Sequence, residues 1–148
     1  MSSRETIVEV IKFMEDDRGK LYKIIIGSDS ENDNEAMLAD FVTAIVVYRV
    51  GNGGRYFWRR KKFKQFHNLR DRIIQEVMLS LDMAKEILVL LKEFQTPRFD
   101  FEIHVDIGEN GETKTMLHEI TGMVRAYNFE VKTKPASYGA SKVADRHI

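Results

Sequence analysis

The sequence predicts an α/β fold with a mixed five-stranded sheet and helices on both faces. Three observations lead there. The continuous apolar run Leu21 to Ile26 reads as a strand buried on both sides. Gly51-Asn52-Gly53-Gly54 separates two β-rich stretches and favours a hairpin. The second half of the chain then alternates helical and strand periodicity, which requires crossover connections.

The elements follow in order. Ser2 and Glu5 fit a capping box, and Ile7, Val8, Ile11 and Met14 recur at helical spacing, so a first helix is expected. It ends in the acidic turn before Gly19, making residues 1–19 an N-terminal helical extension of one domain spanning 1–148. The first strand is expected to stop at Gly27-Ser28-Asp29-Ser30, with a polar loop from Glu31 to Glu35. Phe41 to Val50 and Arg55 to Phe63 read as the second and third strands, antiparallel to their neighbours. Asn68 is placed to cap a long helix from Leu69 to Phe94, whose buried face carries Ile73, Val77, Leu81, Ala84, Leu88 and Leu91; Pro97 prevents its continuation. Phe99 to Ile107 alternates as a fourth strand, with Glu102, His104 and Asp106 on one side. A helix from Thr113 to Tyr127, a short strand from Phe129 to Thr133 and a last helix from about Ala136, containing Asp145, complete the order. The fourth and fifth strands are expected parallel to the first.

Composition excludes several classes. The chain has 148 residues, 43% hydrophobic and 31% charged, a globular composition of about one domain. It has no cysteine, which rules out disulfides and Cys-ligated metals. No apolar run approaches the roughly 20 residues that span a bilayer, and the first residues do not resemble a secretory signal, so a cytoplasmic location without membrane attachment is expected. Lys+Arg and Asp+Glu are both 23. That balance argues against coating nucleic acid by charge alone and leaves room for a local basic patch.

Four acids stand where the fold does not need them. Asp29 and Asp106 are expected at the carboxyl ends of parallel strands, where open α/β sheets bind ligands. Glu76 lies beside the buried stripe of the long helix, and Asp145 lies in the last helix. Acids brought together repel unless a cation neutralises them, and Mg2+ and Mn2+ prefer such oxygen ligands. Each acid also has an ordinary reading: Asp29 and Asp106 as turn residues, Glu76 as a solvated helix acid, Asp145 as half of a surface pair with Arg146.

The segments Ile-Gly-Ser-Asp-Ser, Gln-Glu-Val-Met-Leu-Ser, Ile-His-Val-Asp-Ile-Gly and Lys-Pro-Ala-Ser-Tyr-Gly-Ala-Ser-Lys-Val-Ala-Asp-Arg-His resemble the YkuK-like family of small bacterial proteins, grouped with the ribonuclease H-like superfamily. The resemblance runs from about Leu21 to His147. It implies an acid on the first strand, on the helix after the hairpin, at the end of the fourth strand and in the last helix; Asp29, Glu76, Asp106 and Asp145 occupy those places in order. The expectation is a Mg2+- or Mn2+-dependent nuclease that cleaves nucleic-acid phosphodiesters with two metal ions, those four residues serving as ligands and catalytic groups. The alternatives are a catalytically inactive nucleic-acid- or protein-binding module on the same fold, and a site for a small phosphorylated ligand.

Other signals are weaker. The stretch from Arg55 to Lys64 interleaves basic and aromatic residues, which suits nucleic acid and equally suits a charged edge strand; Tyr56 and Trp58 share a face and are candidates for the core. His104 reads as a hydrogen-bonded core histidine before it reads as a group orienting a ligand. His147 is a solvated terminal histidine or a proton shuttle, and Lys134 and Ser137 hold a phosphate or, for Ser137, cap the last helix.

Overall fold

Branched side chains alternate on a pleated strand, and a strand apolar on both faces is stable only between two neighbours. The first strand follows this rule. In the computed structural model, which describes residues 2–51, 53–108 and 114–133, β1 (Tyr22–Asp33) sits in the middle of a five-stranded sheet. It pairs antiparallel with β2 (Leu38–Arg49) on one side and parallel with β4 (Phe99–His104) on the other. β3 (Gly54–Lys64) lies outside β2, and β5 (Glu130–Lys132) lies parallel outside β4, giving the order β3-β2-β1-β4-β5. The mixed sheet expected from the sequence is present.

Two boundaries differ, with consequences for the site. β1 does not end at Gly-Ser-Asp-Ser but runs on to Asp33, still paired with β2. The turn falls later, where the Asp33 carboxylate accepts the Glu35 and Ala36 backbone N–H groups at 3.1 and 3.2 Å. Asp29 is therefore inside a strand rather than at its tip. β4, expected to reach Ile107, stops at His104, and Asp106 lies in a bend beyond it. The β2–β3 turn forms as read: Gly51 and Gly53 adopt φ of 82° and 81°, a region costly for any side chain.

The helices α1 (Ser3–Glu15), α2 (Leu69–Leu91) and α3 (Leu117–Ala126, preceded by a 3-10 turn at Lys114–Met116) all contribute to one core against one face of the sheet. That face is built from Ile24 and Ile26 of β1, Ile45 and Val47 of β2, and Ile103 of β4. The opposite face carries a second apolar cluster, Ile25, Val42, Ala44 and Val46. The expected helix containing Asp145 lies outside the described residues, as do Lys134, Ser137 and His147.

Local rules place the helices well. The Ser2–Glu5 capping box closes α1, and the Asn68 side chain accepts the Asp71 N–H at 2.8 Å to start α2. The buried row of α1 is rotated from the expected one: Ile7, Val10, Phe13 and Met14 are buried, while Val8 is 39% exposed. Long-range contacts cause the rotation. Phe13 packs edge-on against Tyr22 with ring centroids 6.0 Å apart, and the Arg49 guanidinium lies 4.3 Å from the Phe13 ring centroid. Arg49 also donates to the Phe13 carbonyl at 2.6 Å and to the Tyr22 hydroxyl at 3.0 Å, and that hydroxyl donates to the Asp17 carbonyl at 2.6 Å. A cation thus closes the carboxyl end of α1 onto the sheet.

Removing it has a local signature. Arg49→Ala is expected to cost about 1–3 kcal/mol, because two partly buried acceptors lose a charged donor. Amide hydrogen exchange should quicken in α1 and change little in α2. Unaltered protection of α1 would mean that apolar packing alone holds it.

Candidate functional site

The site begins with the end of a ladder. The last parallel rung between β1 and β4 joins Gly27 to His104. Asp29 and Asp106 each follow that rung by two residues, so both stand at the point where the two strands stop pairing. β1 continues against β2 alone. A gap at the carboxyl ends of neighbouring parallel strands is where α/β sheets accept ligands.

Alternation along β1 divides its polar residues between the two faces. Ser28 and Ser30 face the helix layer. The Ser28 hydroxyl lies 2.8 Å from that of Thr43 and 2.7 Å from that of Ser80 on α2. The Ser30 hydroxyl donates to Glu76 Oε2 at 2.5 Å. Asp29, between the two serines, belongs to the other face and is half-buried.

Glu76 is the unusual group. It projects from α2 into the core layer with only 7% of its surface exposed. Burial pushes its carboxyl up to about 8 from an ordinary 4.5, and the negative fields of Asp29 and Asp106 push the same way. The Ser30 hydroxyl and the Arg72 guanidinium oppose them and do not prevail. Glu76 is therefore within electrostatic reach of both other acids, at the edge where β1 and β4 separate. Among the described residues, however, no three His, Asp or Glu side chains converge closely enough to hold one ion. Asp145 lies outside those residues.

Beside this edge, on the face opposite the helices, is a second ionisable pair. His104 Nε2 lies 3.0 Å from Glu102 Oε1, and Lys23 Nζ lies 3.6 Å from Glu102 Oε2. Burial lowers the His104 pKa, against the pull of Glu102. Burial alone would raise that of Glu102, yet the His104 hydrogen bond and the Lys23 and Lys132 charges bring it down. The hydrogen-bonded core histidine read from the sequence is what the structure contains. Its partner Glu102 has no motif to mark it, although the i,i+2 spacing on one strand face is visible in the sequence.

Ser30 also escapes sequence reading, because Gly-Ser-Asp-Ser has the composition of a turn. The available signal is that the alternation of β1 continues through it. Tyr56 and Trp58, read as candidates for the core, are 46% and 43% exposed. They lie on the edge strand, where no further strand among those described covers them.

The mixed sheet and its strand order are those of a ribonuclease H-like protein. The chain belongs to the family described as Ribonuclease H-like, whose model matches residues 5–148. It is 31% identical over 157 residues to the Bacillus subtilis (strain 168) protein named "Uncharacterized protein YkuK", covering 99% of this chain and 90% of that one. Among solved structures, NurA with manganese resembles it at a TM-score of 0.35 and 6% identity over 68% of this chain. NurA bound to dAMP and manganese does so at 0.35 and 10% identity over 71%. The matches span only 27% and 24% of those NurA chains, and the manganese and dAMP are NurA's ligands. No helix among the described residues is long and apolar enough to cross a membrane.

The Glu76 environment makes stability depend on pH. The folded carboxyl holds its proton more tightly than the unfolded one, so its contribution is complete below about pH 4.5 and is lost as pH rises towards 8. Within that window stability should fall by roughly 1.4 kcal/mol per pH unit from this group alone. Urea unfolding in EDTA from pH 5 to 8 should show the decline, and Glu76→Gln should flatten it and be the more stable protein at pH 8. An equal slope in the variant would assign the pH dependence to another group.

Proposed function

We propose that this protein is a divalent-metal-dependent nuclease that hydrolyses nucleic-acid phosphodiester bonds by a two-metal mechanism. The observation that carries this reading is Glu76: a buried carboxyl held within reach of Asp29 and Asp106, at the edge where β1 and β4 part. A carboxyl that is buried and also feels two like charges stabilises the fold poorly and gains from a cation. The donors are all carboxylate oxygens, which fits Mg2+ or Mn2+ and does not fit a soft metal. Membership of the ribonuclease H-like family supports the same assignment.

In this reading Asp29 and Asp106 are the main ligands, with Glu76 and Asp145 completing the two sites. Bound ions would supply an activated water and offset charge on the leaving oxygen. Asp29 is fixed in position by its place in the β1–β2 ladder. Ser30 orients Glu76 by donating to its Oε2 atom. Glu76 gives up its proton when positive charge arrives, so metal uptake near neutral pH is accompanied by proton release.

A second reading has its own support: the described acids do not converge on one position, as befits an inactive nucleic-acid- or protein-binding module. The two are separated by one set of measurements. Isothermal titration with Mn2+ should show binding that Asp29→Asn weakens at least tenfold, and the same variant should lose Mn2+-dependent cleavage across a panel of RNA, DNA and hybrid substrates while its circular dichroism is unchanged. Cleavage by Asp29→Asn at the parent rate would rule out the mechanism, and the lack of any Mn2+ uptake would favour the binding module.

A further inference from the structure

β3 is the most basic stretch in a chain of zero net charge. Between Gly54 and Lys64 it carries Arg55, Arg59, Arg60, Lys61, Lys62 and Lys64 and no acid. Strand alternation sorts these residues into two rows with different surroundings. Arg55, Phe57, Arg59 and Lys61 fall on the helix side. There Arg59 donates to Ser3 Oγ at 2.7 Å and lies 3.8 Å from Glu86, and Arg55 lies 5.2 Å from the Phe13 ring centroid. That row fastens α1 and α2 to the sheet edge.

The other row is Tyr56, Trp58, Arg60 and Lys62. All four are exposed, and a shallow depression follows the open edge of β3 from Tyr56 to Arg60, lined by residues of both rows. Two aromatics are followed by two cations along this row, and where they meet the Arg60 guanidinium is 5.7 Å from the Trp58 ring centroid. Arg60 also meets the Asp40 carboxylate at 3.3 Å, so part of its charge is already answered. Lys62 is the second cation on this face.

The register aims this row at the acids. Arg60 pairs with Val42, and Val42 pairs with Asp29. Arg60 and Asp29 therefore share one line across the sheet and one face, two strands or roughly 10 Å apart. Tyr56 and Trp58 stand two residues apart, roughly 7 Å along the strand. That is about twice the 3.4 Å rise per nucleotide of a stacked helix. That spacing leaves room for bases that do not stack on one another, and a base lying on either ring needs an open face, which a single strand offers and a stacked duplex does not.

We propose that this face of β3 is a track for single-stranded nucleic acid, with bases on Tyr56 and Trp58 and phosphates against Arg60 and Lys62, leading across the sheet to Asp29. It rests on the nuclease reading for the purpose of the track, and supplies the substrate class which that reading left open.

Trp58 is the only tryptophan in the chain, so its fluorescence reports this face directly. The experiment titrates the full chain, in EDTA, with oligo-deoxythymidine of about twelve nucleotides, a length within the usual single-strand site sizes. Saturable quenching is expected. The slope of log affinity against log salt should fall by about 1.4 in the Arg60→Ala/Lys62→Ala variant, about 0.7 for each single-strand phosphate that the protein no longer neutralises. Tyr56→Ala should weaken binding about fivefold or more. Lys61→Ala, on the helix-side row, should leave the Trp58 response in place. The track is overturned by an absence of quenching, by equal quenching with a duplex of the same length, or by an unchanged salt slope in the double variant. Because EDTA and Asp29→Asn remove the metal chemistry without touching β3, the two readings fail separately. Quenching without Mn2+ uptake sinks the nuclease and keeps the track, whereas Mn2+-dependent cleavage without quenching does the opposite.

Discussion

The parallel pairing of β1 with β4, and the rung at which it stops, sets the geometry on which the rest of the structure depends. β1 satisfies its backbone on both sides as far as Gly27, and from there only β2 continues beside it. The unpaired edge begins where Asp29 and Asp106 stand, and α2 runs over it closely enough to bring Glu76 into their field.

Glu76 shows which effect wins inside that cluster. One short hydrogen bond from Ser30 and one nearby guanidinium favour its charged form, and burial with two like charges outweighs both. In a protein selected for stability alone, an apolar residue at this point of α2 would pack beside Ile73 and Val77 at no such cost. By contrast, the Glu102–His104 pair on the opposite face has a cation on hand in Lys23, and its carboxylate stays charged. Two buried carboxyls, one on α2 and one on β4, therefore sit in opposite states. Glu76 is the more strongly desolvated and has one guanidinium against two like charges, whereas Glu102 has the His104 hydrogen bond and the charges of Lys23 and Lys132.

The mixed sheet and its strand directions were legible in the sequence because they follow from local patterns and crossover rules: an apolar run, a glycine turn, an asparagine cap and a proline stop. That Asp29 and Asp106 stand near one edge follows only once β1 and β4 are neighbours, and no local pattern in the sequence settles that adjacency. The phase of α1 was not legible either, because Phe13 is drawn inward by Tyr22 and Arg49, residues distant in sequence. Nor was the true end of β1. Serine and aspartate usually announce a turn, and here the ladder with β2 overrides that preference for several residues. The same override hid Ser30, whose contact with Glu76 spans 46 positions and leaves no local trace. The aromatic residues of β3 read as core because alternation identifies a shared face without saying whether anything covers it.

The same β1–β4 pairing has a bearing on how the chain reaches its fold. Rungs of the β1–β2–β3 meander join residues no more than 27 positions apart, whereas every rung between β1 and β4 joins residues 77 apart. Closing the larger loop costs more chain entropy before any contact repays it, so the meander has the kinetic advantage and the parallel strand docks afterwards. Asp29 acquires its strand setting with the meander, but Asp106 joins it only when β4 arrives. The acidic edge is thus a late product of folding, and a nascent chain carries the basic face of β3 before it carries the complete cluster of acids.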